Sequence, residues 1–192
     1  MINVHLIASK KNVLQDIVTL RRINDIVKKD GHDILDDWIE VAYDIRVKQD
    51  RSDVDWPGIY RASLENIAKA DVVIAETTFD TFGVGYQIAN VVHQKKPVLM
   101  LRHENAAEED AFANGIVDSW VQRETYNNDN LAIVIGKFLE ENDIATKDMR
   151  FNFFIDRPIY NFLRWTALKT GKTKAEILRE LVMHEINNKD KI

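Results

Sequence analysis

The feature that most constrains the fold is a set of short, mainly apolar runs separated by segments with helical periodicity. The runs Ile2–Ile7, Val72–Ala75 and Pro97–Leu101 have the character of strands that are covered on both faces of a sheet. Such strands are typical of parallel sheets, in which a helix connects one strand to the next. The order of the runs therefore predicts an α/β domain of the flavodoxin or Rossmann-like type with right-handed crossovers.

Helices are predicted where apolar residues recur every three or four positions. The clearest is Val13–Lys29, which ends at Asp30 and Gly31. Two weaker strands are predicted at Trp38–Ala42 and Ser119–Val121. The other predicted helices of this domain are Pro57–Ala70, Tyr86–Gln94 and Leu131–Leu139.

The polar stretch Glu140–Lys147 is the predicted boundary between two domains, because it lacks apolar periodicity. The charge changes sign across it: residues 147–192 carry ten Lys and Arg against six Asp and Glu, whereas residues 1–146 carry sixteen against twenty-five. We assign residues 1–142 to the α/β domain, 143–149 to a linker and 150–188 to a second module. A basic module suits the binding of phosphate groups, although a solvated helix pair has the same charge.

The composition excludes several kinds of site. The 192 residues include no cysteine, which excludes disulfides and thiolate zinc ligands and suits the reducing cytoplasm. No apolar run approaches the ~20 residues of a membrane span, so no membrane partner is expected. The histidines, at positions 5, 32, 93, 103 and 184, include no pair at the i, i+4 spacing of a helical metal site. We therefore predict neither a metal nor another cofactor.

Two loops are candidates for ligand binding, because ligands of open parallel sheets bind beyond the carboxyl ends of strands. The loop Ala8–Lys11 follows the first strand, and Thr77–Gly85 follows the strand that ends at Ala75. Gly83 and Gly85 lack side chains and would let backbone N–H groups approach an anion. A phosphate site is predicted here, although glycine is also common at such turns for conformational reasons alone.

The segment that begins at Ala70 reads ADVVIAETTFDTFGVGYQ and ends at Gln87. It resembles the signature of the nucleoside 2-deoxyribosyltransferase family, and most closely the branch that hydrolyses the N-glycosidic bond of deoxynucleoside monophosphates. The resemblance covers residues 2–140 and implies a flavodoxin-like, oligomeric protein. It places the roles of the phosphate-binding residues on Ser9, Lys11, Thr81 and Gly83, and a nucleotide or nucleoside monophosphate is therefore the expected ligand.

The same resemblance identifies two catalytic positions, both of which have changed. The family's nucleophile is a glutamate directly after the GVGY motif, and this chain has Gln87 there. The carboxylate that helps to protonate the leaving base is replaced by Ser63. An amide can act neither as the nucleophile nor as a base, so the resemblance implies lost catalysis. Other nearby carboxylates, which we expect to be solvated or to cap helices, are Glu65, Glu76 and Asp80.

The C-terminal module has a different pattern. Residues Arg150–Asp156 alternate in polarity, as in a strand with one buried face. A helix is predicted from Pro158 to Gly171, and a capping box of Thr173 and Glu176 predicts the start of a second helix. Strand, helix and helix in this order resemble the ribbon-helix-helix family. That family builds its core from two chains around an antiparallel ribbon, so the resemblance implies an obligate homodimer, or a larger even oligomer.

The ribbon-helix-helix resemblance also implies a DNA interface. The outward-facing strand residues, Arg150, Asn152 and Phe154, would face bases in the major groove, where Arg pairs with guanine and Asn with adenine. The start of the second helix, with Lys172, Thr173 and Lys174, would bind the DNA backbone. Phe154 departs from the family's usual polar residue. It would contact a thymine methyl group, or it would indicate that the module only dimerises the chain.

Two functions follow from the sequence. The first is a dimeric DNA-binding regulator whose α/β domain binds a nucleotide without cleaving it. The second is an active deoxyribosyltransferase or N-glycosidase, of which a defence or toxin-type effector is one variant, with the C-terminal module serving assembly. Gln87 and Ser63 favour the first function.

Overall fold

The computed structural model describes residues 1–47, 54–79, 81–106, 115–143 and 153–189. The chain divides into two compact units, Met1–Ala145 and Thr146–Ile192. Asp80, Arg150, Asn152 and most of the predicted linker lie outside the described residues.

The first unit contains a five-stranded parallel sheet with the order β2-β1-β3-β4-β5. This confirms the predicted α/β architecture of the flavodoxin or Rossmann-like type. The order reverses between β1 and β3, so the connections from these two strands leave in opposite directions and open a crevice at their carboxyl ends. The strands are β1 Asn3–Ile7, β2 Asp33–Ile34, β3 Val72–Glu76, β4 Val98–His103 and β5 Val121–Tyr126.

Helices cover both faces of the sheet. Side chains of successive strand residues point to opposite faces, and because the central strands are mainly apolar, both faces have to be buried. On one face, Val4, Leu6 and Ile74 pack against helices α1, α2, α3 and α6. On the other, Val73 and Ala75 pack against α4 and α5. The helices in the described residues of this unit are α1 Lys10–Gln15, α2 Ile17–Lys29, α3 Trp38–Val47, α4 Trp56–Lys69, α5 Phe82–His93 and α6 Leu131–Asn142.

The single helix predicted over Val13–Lys29 is in fact two helices. Asp16 ends α1 with a non-helical backbone, at φ −151° and ψ 54°. Its carboxylate then accepts a hydrogen bond from the Thr19 backbone N–H at 3.1 Å and so caps the start of α2. The prediction was wrong here because apolar residues continue at helical spacing across the break.

The strand predicted at Trp38–Ala42 is wrong, because these residues form the first turns of α3. Ile39 is buried, and Trp38, Ala42 and Tyr43 pack beside it against the core. Positions 38, 39, 42 and 43 share one face of a helix but not of a strand. The second strand is instead Asp33–Ile34, which pairs with β1.

The last strand of the sheet begins later than predicted. Ser119 and Trp120 lie in a turn, in which the Asp118 carboxylate accepts a hydrogen bond from the Trp120 N–H at 2.9 Å. Strand β5 runs from Val121 to Tyr126 and pairs with β4. The polar residues of β5 hid the strand pattern in the sequence. They are tolerated because β5 is an edge strand, which lacks a neighbour on one side and carries more exposed side chains.

The described part of the second unit consists of a helical hairpin. Helix α7 Arg157–Thr170 is capped by Asp156 and ends at Gly171, whose φ of 74° is the left-handed conformation that glycine adopts without strain. Helix α8 spans Lys174–Lys189. Thr173 and Glu176 form the predicted capping box, with the Glu176 carboxylate 2.7 Å from the Thr173 backbone nitrogen.

The strand predicted at Arg150–Asp156 is not formed in its described part. Phe153 to Asp156 have no strand structure, and Phe154 is fully exposed. Within the described part of this unit the other elements are helices, so these residues have no neighbouring strand with which to form a ladder.

Candidate functional site

A cavity of about 310 Å³ opens at the carboxyl end of β1, beside the position where the strand order reverses. Its walls come from β1, the loop after β1, and helices α1, α3, α4 and α5. Most of the lining is apolar or aromatic, with a few polar groups, as in sites for small organic ligands. The lining residues are His5, Ala8, Lys10, Val13, Asp36, Trp38, Val41, Ala42, Ile45, Trp56, Ile59, Ala62, Ser63, Asn66 and Gln87.

Two tryptophans give the cavity its aromatic walls. The Trp38 indole N–H donates a hydrogen bond to the Leu6 carbonyl at 2.8 Å, which fixes the ring against the end of β1. Trp56 is the first residue of α4, where Asp55 caps the helix by accepting from the Gly58 N–H at 2.9 Å. The helix start therefore holds Trp56 in place. Both rings are suited to contact a planar ligand.

The two positions that the resemblance assigned to catalysis lie together in the cavity wall. The Ser63 hydroxyl donates to Gln87 Oε1 at 2.7 Å, and Gln87 Nε2 donates to the Gly83 carbonyl at 3.2 Å. Ser63 is on α4 and Gln87 is on α5, so the bond also connects the two helices. Both side chains are neutral and hydrogen-bonded to each other, and neither supplies a nucleophile of the expected kind.

The cavity also contains one acid and one cation among its described lining residues. Asp36 Oδ2 accepts a hydrogen bond from the Asn66 amide at 3.1 Å. Lys10 Nζ lies 3.6 Å from the centre of the Trp56 ring, a cation–π contact across the mouth. An anionic group of a ligand would therefore meet Lys10 at the mouth, while an amine or hydroxyl could approach Asp36.

The histidine of β1 is the most deeply buried polar residue of the lining. His5 is 3% exposed, and neither ring nitrogen has a hydrogen-bond partner within the described part of the chain. Burial lowers the pKa of His5 to about 4, because the charged imidazolium would lose its hydration. The ring is therefore neutral at physiological pH, with one donor and one acceptor.

The phosphate-binding residues predicted after β1 lie next to the cavity, not in its lining. Ser9 is buried, and its hydroxyl donates to Asn12 Oδ1 at 2.6 Å and accepts from the Asn12 N–H at 3.2 Å. The Ser9 backbone N–H also donates to Asn12 Oδ1 at 3.0 Å, and this bond together with that from the Asn12 N–H forms a capping box at the start of α1. Lys11 is exposed. In this loop Lys10, and not Lys11, lines the cavity.

The residues predicted after β3 form the first turn of α5. Thr81 caps the helix by accepting from the Val84 N–H at 3.3 Å. Gly83 and Gly85 are exposed, and an added Cβ would meet no atom within 4 Å at either position. Both glycines have ordinary helical conformations, so what they provide is open space in front of the backbone.

A buried polar network lies behind the cavity and corrects the expectation that Glu76 is solvated or caps a helix. Glu76 is buried at the end of β3 and accepts hydrogen bonds from Asn12, Thr78 and the Tyr126 hydroxyl, the last at 2.9 Å. Burial raises the pKa of Glu76, and the hydrogen bonds oppose that rise. The network joins α1, β3 and β5, and its carboxylate is engaged by donors of the protein itself.

Several cavity residues were not identified from the sequence. His5 belongs to a predicted apolar strand and Trp38 to another predicted strand. Lys10 lies in the predicted loop Ala8–Lys11 without an assigned role, and nothing in the sequence pattern marks Asp36 or Trp56. One signal was available: a histidine inside an otherwise apolar strand has to be buried, and a buried histidine needs a partner.

The predicted DNA-contacting residues of the second unit are only partly described. Lys172, Thr173 and Lys174 are exposed at the start of α8. Lys172 Nζ pairs with the Glu180 carboxylate at 2.5 Å, and Lys174 Nζ lies 4.3 Å from the centre of the Tyr160 ring.

The hairpin of the second unit leaves many apolar side chains in solvent. Leu163 and Ile177 are buried between the two helices. At least two-fifths of the surface remains exposed for a larger set on the same helices: Ile159, Tyr160, Phe162, Trp165, Leu168, Leu181, Val182, Met183 and Ile186. So much apolar surface on a small unit is typical of a surface that another protein covers.

The described residues contain no group of three or more His, Asp and Glu side chains placed to hold a metal ion. None of the helices in the described ranges is long and apolar enough to cross a bilayer.

No family model matches the chain, and no curated protein matches it. Among solved structures, the CMP N-glycosidase BcmB of Clostridium botulinum is similar over 72% of this chain and 98% of that chain. The identity is 14% and the TM-score is 0.47.

Proposed function

We propose that the first unit binds a nucleoside monophosphate in the cavity between β1, α3 and α4 without cleaving its glycosidic bond. We further propose that the second unit dimerises the chain and binds DNA, so that the protein is a nucleotide-responsive regulator. The observation that carries the first proposal is the hydrogen bond between Ser63 and Gln87 in the cavity wall. It supports binding without cleavage, because the two positions that would carry catalysis hold neutral groups.

The shape and chemistry of the cavity support a nucleotide as the ligand. Its volume of about 310 Å³ suits a small organic molecule, and Trp38 and Trp56 can pack against a planar base. Lys10 supplies a positive charge at the mouth. A ligand that is aromatic at one end and anionic at the other matches this arrangement.

We place the phosphate at the first turn of α5 and expect Ser9, Lys10 and Lys11, which follow β1, to contribute to its binding. A helix N-terminus attracts anions because its first N–H groups have no partner within the helix. Thr81 caps this turn, and the space before Gly83 and Gly85 leaves room for a bulky anion.

The alternative of an active enzyme requires a carboxylate at the sugar. Asp36 is the one acid among the described residues of the lining, and its Oδ2 already accepts from Asn66. Glu76 is buried in a separate network with its oxygens engaged. Neither acid is paired with a second carboxylate in the cavity, as glycoside cleavage by this route would require.

The test is a titration combined with a cleavage assay. Isothermal titration calorimetry of the full chain with ribo- and deoxyribonucleoside monophosphates should show binding. Chromatography of the same mixtures after prolonged incubation should show no free base. Absence of binding to every nucleotide would refute the proposal, and released base would establish the enzyme in its place.

The DNA proposal has a separate test. DNA selected from a random-sequence pool should bind the full chain in a salt-dependent manner. Replacing Arg150 and Asn152 together by alanine should remove sequence preference, because these side chains are proposed to contact base edges. If selection yields no bound sequence, or the double variant keeps the preference, the proposed base contacts are wrong.

A further inference from the structure

His5 is a buried polar side chain to which the fold gives no partner. It lies in the middle of β1, opposite Val73 of β3, and it belongs to the lining of the cavity. Only 3% of the residue is exposed. Nδ1 and Nε2 are both closed off from solvent and have no hydrogen-bond partner in the described residues.

Such a residue is unusual in a strand that otherwise contributes to the core. Buried polar groups are nearly always hydrogen-bonded, because an unmet donor or acceptor loses its interaction with water. The neighbouring positions of β1 carry Val4, Leu6 and Ile7, all fully buried. An apolar side chain at position 5 would suit the same environment without this cost, so the fold alone gives no reason for a histidine.

The position of His5 in the cavity indicates what it would contact. Lys10, the cation of the lining, is exposed, whereas His5 lies at the buried floor. A ligand whose anionic group stays near Lys10 would reach His5 with its opposite end. In a nucleoside monophosphate, the end away from the phosphate is the base.

We propose that His5 hydrogen-bonds the polar edge of the nucleobase and thereby selects nucleotides over other sugar phosphates. This inference rests on the proposed nucleotide-binding function. A neutral imidazole offers either an N–H donor or a nitrogen acceptor, according to its tautomer. Rotation of the ring by 180° about the Cβ–Cγ bond exchanges each nitrogen with a carbon. A flip of the ring would therefore place a nitrogen where a ring carbon now lies, and binding of the ligand would favour that orientation.

The experiment compares ligands with and without a base. Calorimetry on the full chain would use CMP, UMP, AMP, GMP and ribose 5-phosphate with the wild type, His5→Phe and His5→Gln. The change to phenylalanine should weaken binding of the preferred nucleotide about tenfold, which corresponds to about 1.4 kcal/mol of binding free energy. Ribose 5-phosphate should bind the wild type and His5→Phe equally. Glutamine keeps a donor and an acceptor and should restore part of the affinity.

Two further measurements separate ligand contact from a structural role. His93→Gln, which changes an exposed histidine at the end of α5, should bind the nucleotide as the wild type does. In the wild-type protein, the ¹⁵N resonances of the His5 ring should move when the preferred nucleotide is added and stay in place with ribose 5-phosphate. This readout does not depend on whether a variant folds.

The outcomes distinguish this inference from the proposed function. If the wild type binds no nucleotide, the proposed function fails and the inference fails with it. If the wild type binds a nucleotide while the His5 resonances do not move, or while His5→Phe binds it unchanged, only the inference is overturned. An equal loss of affinity for the nucleotide and for ribose 5-phosphate in His5→Phe would also overturn the inference, because the contact would then not involve the base.

Discussion

Ser63 on α4 and Gln87 on α5 form a direct hydrogen bond of 2.7 Å, and Gln87 in turn donates to the Gly83 carbonyl at 3.2 Å. The amide of Gln87 is thus fixed with its oxygen toward Ser63. A glutamate at position 87 could still accept from Ser63, but it would lose the bond to Gly83. The two positions are close enough for a carboxylate at one to influence the protonation of a carboxylate at the other.

This contact predicts that catalysis can be introduced by two changes. Gln87→Glu supplies an ionised nucleophile. Ser63→Asp supplies an acid that keeps its own proton, because the negative charge of the adjacent glutamate raises its pKa. We expect Gln87→Glu alone to release traces of base from a bound deoxynucleoside monophosphate, and the double variant to be about 100-fold faster. Chromatography of the free base gives the rate. Asn90→Asp, which adds a carboxylate on α5 outside the cavity lining, is the matched control and should stay inactive.

The second prediction concerns the two adjacent lysines after β1. Lys10 lines the cavity and Lys11 does not, so Lys10→Ala should weaken nucleotide binding about tenfold, as expected for a lost charged contact. Lys11→Ala should have a smaller effect. Affinity for the corresponding nucleoside should hardly change in either variant, because it lacks the phosphate. A larger loss in Lys11→Ala would instead favour the position that the family resemblance implies.

The third prediction concerns the stability cost of His5. Replacing it by phenylalanine removes a buried group without a partner, and the free energy of unfolding at pH 7 should rise by about 1 to 3 kcal/mol. Urea denaturation of both proteins would measure the change. A purely structural histidine would give the opposite sign, because its loss would destabilise the fold.

The same variant isolates a pH effect. Because burial lowers the pKa of His5 from 6.5 to about 4, the unfolded chain binds more protons than the folded one between these values. Through this linkage the free energy of unfolding of the wild type falls as the pH decreases from 6.5 toward 4, by about 3 kcal/mol in total, and it is not affected by His5 titration above pH 6.5. His5→Phe should lack this part of the acid sensitivity.

The fourth prediction concerns Glu76, whose titration should change stability with pH in the opposite direction to that of His5. Burial raises the pKa of Glu76 above that of a glutamate in the unfolded chain, so at pH values between the two the folded protein binds more protons than the unfolded one. Stability should therefore fall as the pH rises from the pKa of the unfolded chain toward the raised pKa of the folded state. Glu76→Gln should lose this slope, whereas Tyr126→Phe, which keeps the carboxylate, should retain a slope. Parallel pH profiles for the wild type and Glu76→Gln would contradict the assignment.

The fifth prediction concerns assembly through the second unit. Phe162 on α7 is half exposed and belongs to the apolar set on the two helices. Phe162→Asp should convert a dimer into a monomer in sedimentation experiments, because a buried charge in an apolar interface is costly. Arg164→Asp, at an exposed position of the same helix, should remain dimeric. A wild type that sediments as a monomer would refute the proposed dimer.

The fold was largely predictable because it depends on patterns that act locally. The apolar runs of β1, β3 and β4 and the periodicity of α4 and α5 are determined by burial on two faces of one sheet. The errors lie where a single side chain overrides the pattern. Asp16 breaks a continuous helical pattern by capping the next helix, and the apolar residues from Trp38 onward suit a helix face as well as a strand.

The candidate site was less predictable, because a cavity is formed by residues far apart in the sequence. Ser63 and Gln87 were identified through the resemblance, and both line the cavity. Lys10, Asp36 and Trp56 have no distinctive spacing, and only the packing of α1, α3 and α4 brings them together. Lys11 directly follows Lys10 but does not line the cavity, because successive side chains of a helix point about 100° apart.

The capping box of α8 has a consequence for how DNA would bind. The Glu176 carboxylate lies 2.7 Å from the Thr173 backbone nitrogen, close to where a DNA phosphate would lie at the start of the helix. This helix therefore carries its own counter-ion. A phosphate arriving there would have to displace an internal anion, so the binding step at this helix would be an exchange of one negative group for another.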